Sequence, residues 1–345
     1  MRKGVNPTKG GKLVQKKVCH HRIIIPLHIP NEEGYFKDAY KIFELCLFSL
    51  IKSSSFFINI SVISNKCSDE VNERLLSLYR QNYIEELIIE KEGIGKINSI
   101  LKALRTIDER LVTITDADVL FLNGWDESVF KVFESVPQAG AVCPVPVYRK
   151  HFQLTSNIWL KYFFSNKIFF EKVKNPEAMT KFANSIGWPW LDEKYKDVIG
   201  VLKAENGNLS VLGCSHFVAT YKKEVFEYLP KDNSLYLVDG DSEFKYTDEP
   251  VLKANGYRLS TYDNYAYHLG NVLEDWMLEE FNKIIDVKEK KHPDINHIKK
   301  IKKGFVDPVL KEVFFKKIIT FKSIQKYLLK SKGLSQKQIK NFLNC

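Results

Sequence analysis

Between residues 22 and 115 four short runs rich in β-branched residues alternate with three amphipathic stretches, and few architectures accept that order. The runs are RIIIPL (Arg22 to Leu27), INISVIS (Ile58 to Ser64), ELIIE (Glu86 to Glu90) and LVTIT (Leu111 to Thr115). Each is bounded by proline, glycine or polar residues, as buried strands are. Between them Ala39, Ile42, Phe43, Cys46, Leu47 and Leu50 recur at three- and four-residue spacing, which predicts a helix over about 36–52. Val71, Leu75 and Leu78 mark a second helical face; Ile97, Ile100, Leu101 and Leu104 mark a third. Strands separated by helices pair in parallel through crossovers, so the expected fold is a doubly wound α/β sheet with flanking helices. Ligands of such sheets bind outside the carboxyl ends of the strands. Here those ends carry PLHIPNE, SNKCSD, GIGK and DAD, which collects polar and flexible residues on one edge.

The rest of the chain is less regular. From His151 to about Leu209 it is aromatic-rich, with WLKYFF, KIFF and GWPW, and reads as an insertion beside the cleft. VLGCSHFVATY (Val211 to Tyr221) and YRLSTYD (Tyr257 to Asp263) read as strands that complete the domain, and from about Asp275 the chain is helical and lysine-rich. The expected division is a flexible basic tail over 1–21, two halves of one domain over 22–150 and 151–274, and a helical extension over 275–345. Six cysteines without any CxxC spacing point to free buried thiols, not to zinc or a disulfide framework.

The net charge of +10 is unevenly placed. Residues 281–345 hold 17 Lys against 5 Asp or Glu, and residues 1–22 hold 7 basic and no acidic residues, so the body between them is acidic. A nucleic-acid binder, basic throughout, is not expected to look like this. No apolar run approaches the roughly 20 residues that span a bilayer, and no apolar run of a secretory signal follows the basic start. A cytoplasmic protein is expected. The lysines of VLKEVFFKKIITF and IQKYLLKSK form either a solvated helical face or a basic amphipathic surface for anionic lipid at the inner face of the membrane.

Asp116 and Asp118 follow an apolar strand and are separated by one small residue, so both carboxylates can reach one cleft. Such a pair suits Mg²⁺ or Mn²⁺ with open positions for phosphate oxygens; it also suits an ordinary strand-end turn. Lys96 follows the Gly93 to Gly95 turn at a helix start, where backbone N–H groups and the ammonium could meet phosphate. His268, in YAYHLGN, is either a locally bonded core residue or a metal ligand with affinity for Mn²⁺. Asp248 and Glu249 open the predicted helix PVLKAN, where Thr247 or Asp248 would cap the start, Pro250 fits the first turn and Gly256 the stop. Asp239 and Asp241 in VDGDSE are rival carboxylates. Trp159, Tyr162, Phe163, Trp188 and Trp190 are core residues or sugar-stacking surfaces, with GWPW the best case for the latter because it marks a loop.

In their order and spacing, PLHIPNEE, SNKCSDEV, GIGKINSILKAL, TDADVLF, GCSHFVATYKKEVF, DEPVLKANGYRL and YAYHLGN resemble the family-2 glycosyltransferases over roughly Arg22 to Asn271. The resemblance implies a GT-A fold: a Rossmann-like central sheet, mixed but mainly parallel, with a donor-binding first half and an acceptor-binding second half. It implies a nucleoside-diphosphate sugar donor, most often a UDP-sugar, a glycan or lipid-linked glycan acceptor, and inverting transfer. It implies donor contacts from Pro26, His28, Pro30, Glu32, Asn65, Lys96, Asn98, Asp116, Ala117 and Asp118. Asp118, with Asp116 and His268, would hold Mn²⁺ or Mg²⁺, and Asp248 or Glu249 would be the base. Many relatives carry an Asp-rich segment where this chain has Ser64, Asn65 and Lys66, which leaves the nucleotide base open. A sugar nucleotidyltransferase would need a Gly- and Arg-rich loop after the first strand, and PLHIPNEEGYF has none; a non-enzymatic binding module driven by the basic ends is the other alternative.

Overall fold

The computed structural model of the chain describes residues 4–5, 11, 19–147, 151–188, 190–238, 240–304 and 308–343. The tail expected over 1–21 lies largely outside these, and the chain enters the fold at His21, the first residue of β1 (His21–Leu27). The predicted alternation follows as α1 (Ala39–Ser53), β2 (Asn59–Asn65), α2 (Asp69–Arg80), β3 (Glu86–Glu90), α3 (Lys96–Leu104) and β4 (Leu111–Thr115). β2 and β4 flank β1 in parallel, and β3 adds to β2 in the same sense. Ile23, Ile24 and Ile25 of β1, Val62 of β2 and Val112 of β4 are fully buried in one core with Phe43, Leu47 and Leu50 of α1 and Ile97 and Ile100 of α3. Burial of each such side chain is worth about 1.5–3 kcal/mol, which holds the helices on the sheet.

The chain continues through β5 (Val119–Phe121), α4 (Trp125–Ser135), β6 (Ala139–Cys143), α5 (Ser156–Tyr162), β7 (Ile168–Lys172), α6 (Pro176–Ser185) and α7 (Glu193–Asp197). β8 (Val198–Lys203), β9 (Leu209–Leu212), β10 (Val218–Lys222), α8 (Glu249–Lys253), β11 (Tyr257–Thr261) and β12 (Ala266–His268) complete the sheet region. The main sheet has the order β3-β2-β1-β4-β10-β6-β11-β9-β8-β7, and β12 pairs with β5 in a separate ribbon. The pairings run seven of the ten strands one way and β7, β9 and β10 the other, so the sheet is mixed and mainly parallel in direction.

Three expectations are corrected. The stretch 151–209 is not an irregular insertion: β7, β8 and β9 form an antiparallel meander that extends the sheet. VLGCSHFVATY is two strands, β9 and β10, in different places in the sheet, because the backbone turns at Gly213 with φ 112°. Helix does not run on from Asp275. α9 (Asp275–Lys283) is followed by a stretch whose backbone bonds to the end of α1 and the connection after it, Val287 N–H to Lys52 O and Lys291 N–H to Ser55 O. Only then come α10 (Pro308–Ile319), α11 (Lys322–Ser331) and α12 (Gln336–Leu343). α10 is tied to the sheet half: Phe315 stacks on Trp159 at 6.4 Å, and the buried Glu312 accepts the backbone N–H groups of Leu154 and Ser156. Among the described residues Cys19, Cys46, Cys67, Cys143 and Cys214 are free thiols; Cys345 lies outside them.

One glycine sets the approach of a loop to the ligand edge. Gly95 has φ 88°, and a Cβ there would stand 2.8 Å from Leu237 Cα, Leu237 O and Tyr236 O. Lys96 N–H donates to Leu237 O at 3.0 Å, so the 234–238 segment rests directly on the start of α3. Gly95→Ala is therefore expected to cost about 1–3 kcal/mol and to expose 231–241 to protease, measured by thermal denaturation and limited proteolysis. Gly187→Ala, at φ 76° in open space, is the control for backbone strain without collision. Equal behaviour of the two variants would mean that the loop does not depend on the close contact.

Candidate functional site

β4 ends at Thr115 and hands the chain to Asp116, Ala117 and Asp118 before β5 begins. β12 runs antiparallel to β5 with His268 opposite Val119, and Leu269 N–H donates to Asp118 O at 2.7 Å. This ribbon brings together two residues 150 positions apart: His268 Nε2 lies 3.5 Å from Asp118 Oδ2. The imidazole is fixed from behind. Its Nδ1 lies 3.0 Å from Ser185 Oγ, and it meets the rings of Phe182 and Phe217 edge-on. Burial pushes the Asp118 carboxyl pKa up, His268 opposes the rise and Asp116 adds to it. Asp118 Oδ1 is buried and, among the described residues, has no hydrogen-bond partner. A buried carboxylate oxygen without a donor is costly, and beside an imidazole it fits a divalent cation. Among the described residues no three His, Cys, Asp or Glu side chains form a ready-made cage. An ion here would therefore take few protein ligands and keep positions for phosphate oxygens, as Mg²⁺ sites do.

Lys96 stands across from this pair. Its ammonium lies 2.6 Å from Asp116 Oδ1 and 2.8 Å from Glu243 Oε1. Burial works against the charge, but the two carboxylates outweigh it and raise the lysine pKa above its ordinary value. Both donor groups anticipated at this helix start are thus engaged, the ammonium by carboxylates and the backbone N–H by Leu237 O. Neighbouring positions shape the turn. Asn98 Nδ2 donates to Ile94 O and Ser234 O, Asn98 Oδ1 accepts Ser234 N–H, and Asn65 Oδ1 accepts Ile94 N–H. His28 Nδ1 lies 2.6 Å from Asn65 O, and Glu32 pairs with Arg74 of α2. Pro26, Pro30 and Ala117 are half-buried along the same edge.

The structure thus gathers Lys96, Asp116, Asp118 and His268, and adds Glu243 and Ser185. Glu243 was visible inside VDGDSE, but its partner Lys96 lies 147 residues away and no local pattern announces the pair. Asp239 lies outside the described residues, and Asp241 is exposed.

Asp248 does not cap a helix. Residues Phe244–Asp248 form a π-helical turn that runs into α8, Asp248 is itself helical, and its side chain makes no capping bond. Its carboxylate instead meets the Arg258 guanidinium of β11 and lies 3.3 Å from His216 Nε2. The Asp248 and Arg258 side chains are each 2% exposed. Glu249 pairs with Lys253 at 2.9 Å. The stop also falls one residue early, at Asn255 with φ 61°, whose N–H bonds Leu252 O. π turns in helices often mark functional sites, and this one runs from beside Glu243 to Asp248. Of the aromatic set, Trp159 is fully buried and Trp190 is 73% exposed; Trp188 is exposed, and Tyr162 and Phe163 are half-buried.

Because Arg258 and Asp248 are buried together, Arg258→Gln is expected to destabilise the chain by about 3–5 kcal/mol, read by chemical denaturation. Arg258→Met combined with Asp248→Leu should recover part of that loss, since neither charge then stays unpaired. A single variant as stable as the parent would show that the pair contributes nothing.

With the geometry established, comparison with known proteins identifies the family. The model of "Glycosyl transferase family 2" matches residues 31–229, more than half of the chain. No curated protein sequence matches it. Among solved structures, S. aureus TarS 1-349 is similar at 12% identity and TM-score 0.42, over 76% of this chain and 71% of that one. The mannosyltransferase PcManGT from Pyrobaculum calidifontis, in complex with GDP-Man and Mn²⁺, is similar at 13% identity and TM-score 0.41, over 94% and 79%. GalNAc-T7 with UDP, GalNAc and Mn²⁺ gives 10% identity and TM-score 0.45 over 96% and 55%. These likenesses are distant, and the assignment rests on the family match. The chain belongs to glycosyl transferase family 2 and is a glycosyl-transferring enzyme.

Proposed function

We propose that the enzyme moves a sugar from a nucleoside-diphosphate sugar, a UDP-sugar by the motif resemblance, to a hydroxyl of a glycan or lipid-linked glycan, with inversion and with Mn²⁺ or Mg²⁺. The observation that carries this reading is the unpartnered Asp118 Oδ1 beside His268, on the same strand-end edge as Lys96 and Asp116. Asp118 and His268 would hold the ion, with Asp116 near the ribose and the metal. When bound, the cation supplies neutralisation of charge on the departing diphosphate. Lys96 exchanges Asp116 or Glu243 for a diphosphate oxygen, a role suited to an ammonium, which acts as a compact charge on a flexible stem. Ser185 keeps the His268 ring oriented by bonding its Nδ1. Asp248 or Glu249 takes the acceptor proton while the hydroxyl attacks the anomeric carbon. Among the described residues no helix is long and apolar enough to cross a membrane; the exposed lysines of α11 and α12 are proposed to contact anionic lipid peripherally.

A donor panel scored by nucleoside diphosphate release, with and without Mn²⁺, tests the reaction class. Asp118→Asn, which keeps the side-chain shape, is expected to lower release by roughly 10²–10³-fold and to abolish Mn²⁺-dependent donor binding in calorimetry, with little change in thermal stability. Full metal-dependent turnover by this variant would refute the ligand role.

For the base, one of Asp248→Asn and Glu249→Gln should lower transfer by roughly 10²–10⁴-fold while donor affinity persists. Thermal stability must be followed in parallel, because Asp248→Asn also removes the charge that balances Arg258. Asp239→Asn, Asp241→Asn and Glu243→Gln complete the series. Dispensability of both Asp248 and Glu249 would overturn the assignment.

A further inference from the structure

A second concave surface lies at the opposite edge of the sheet from Asp118. Arg110 precedes β4 and Asp116 follows it, so the five strand residues separate the two edges by roughly 17 Å. Lys222, the last residue of β10, sits opposite Leu111 and belongs to the same edge as Arg110. There a cavity of about 810 Å³ opens between the end of α3, the connection into β4, the turn after β10 and the segment Ile298–Lys300. This is the size of a small-molecule site.

Its lining has two chemistries. Leu101, Leu104, Ile107, Leu229 and Ile298 supply aliphatic surface, with a single ring from Phe226. Six cations, Arg105, Arg110, Lys222, Lys223, Lys299 and Lys300, face three carboxylates, Asp108, Glu224 and Glu227. Asp108 already lies 3.5 Å from Lys223, and Glu224 Oε1 accepts the backbone N–H of Ile301. Among the described residues the hydrogen-bond partners of the most buried cation are neutral: Lys222 Nζ donates to Pro137 O at 2.6 Å and to Lys299 O at 2.7 Å. Arg110 likewise donates to Ile295 O and Ile298 O. These carbonyls satisfy hydrogen bonds without cancelling charge. Burial holds the Lys222 pKa down to about 8; Glu224 opposes the shift and Arg110 adds to it.

We propose that this cavity binds an anionic amphiphile, a molecule with one phosphate or carboxylate head on an alkyl body. Inorganic phosphate would leave the aliphatic wall unfilled. A nucleotide's base would find Phe226 to stack on, but its polar ribose and phosphates would leave the aliphatic wall without apolar contact. A polyanion would meet the three carboxylates as well as the cations.

The test is calorimetric titration of the full chain with dodecyl phosphate below its micellar concentration. Saturable one-to-one binding is expected, roughly tenfold or more tighter than to inorganic phosphate, UDP or dodecyl maltoside. Arg105→Gln with Lys300→Gln, both at exposed positions, should weaken binding roughly tenfold without moving the thermal midpoint. Lys41→Gln in α1 with Arg80→Gln in α2, both at exposed positions, removes the same charge elsewhere and should leave binding intact. Vesicles of phosphatidylcholine with and without phosphatidylglycerol separate the sources. Anionic-vesicle binding displaced by dodecyl phosphate assigns the head to a bilayer; binding of the free amphiphile alone assigns a soluble lipid. Absence of saturable binding, equal affinity for UDP or the maltoside, or equal loss in both double variants overturns the proposal.

Discussion

The charge at Lys96 holds the candidate site together. Its ammonium joins the start of α3, the end of β4 and the helical turn at Glu243, through contacts of 2.6 and 2.8 Å to two carboxylates. Without it, Asp116, Asp118 and Glu243 would crowd like charges into one partly buried place, which pushes carboxyl pKa values up and disfavours the ionised forms. The arrangement is unequal. Asp116 is neutralised from within the protein, whereas Asp118 keeps one buried oxygen unpartnered and has its pKa raised by burial. A carboxylate that the fold leaves uncompensated is where an external cation gains most, and the one already paired is where an ammonium can be released.

The carboxylate-bearing turn opposite Lys96 is anchored by a pair that is buried outright. Asp248 and Arg258 join the end of the π turn to β11, and His216, beside the Phe217 carbonyl that accepts Asp116 N–H, touches the same carboxylate. α8 also sits unusually close to the sheet, because a Cβ at Gly140 would stand 2.9 Å from Val251 Cγ1 and 3.1 Å from the Gly256 Cα. A helix held by a buried ion pair and by glycine contact has little freedom to rotate. The position of Glu243 against Lys96 is therefore inherited from packing on the far side of the turn.

These features explain what was legible in the sequence. The first half declared itself because its information is local: three- and four-residue spacing makes α1 and α3, and β-branched runs make β1 to β4. The Asp116 and Asp118 motif was legible because it follows such a strand. Asp248 misled because Asp two residues ahead of Pro250 reads as a helix start, whereas the helix had begun several residues earlier and tertiary pairing with Arg258 overrode the cap. β7 and β8 were hidden because KIFF and VIGVLK have strand propensity but pair antiparallel across α6 and α7, so the parallel alternation that frames β1 to β4 does not extend to them. Glu243, Ser185 and the 810 Å³ cavity depend on partners scattered along the chain, and no spacing rule reports those.

The uneven charge of the chain acquires a physical meaning from the sheet. One edge gathers Asp116, Asp118 and Glu243, and the other gathers the cations around Arg110 and Lys222. The two lie roughly 17 Å apart along β4, about twice the screening length of roughly 8 Å at physiological ionic strength. At that range the exposed cations of that edge, Arg105, Lys223, Lys299 and Lys300, are largely screened from Asp118. Charge balance at the candidate site must be local. Lys96 and His268 are the cationic or cation-capable groups among the residues gathered there, and the one already spent on Asp116 is Lys96, which leaves the Asp118 and His268 pair as the place where an added positive charge changes the energy most.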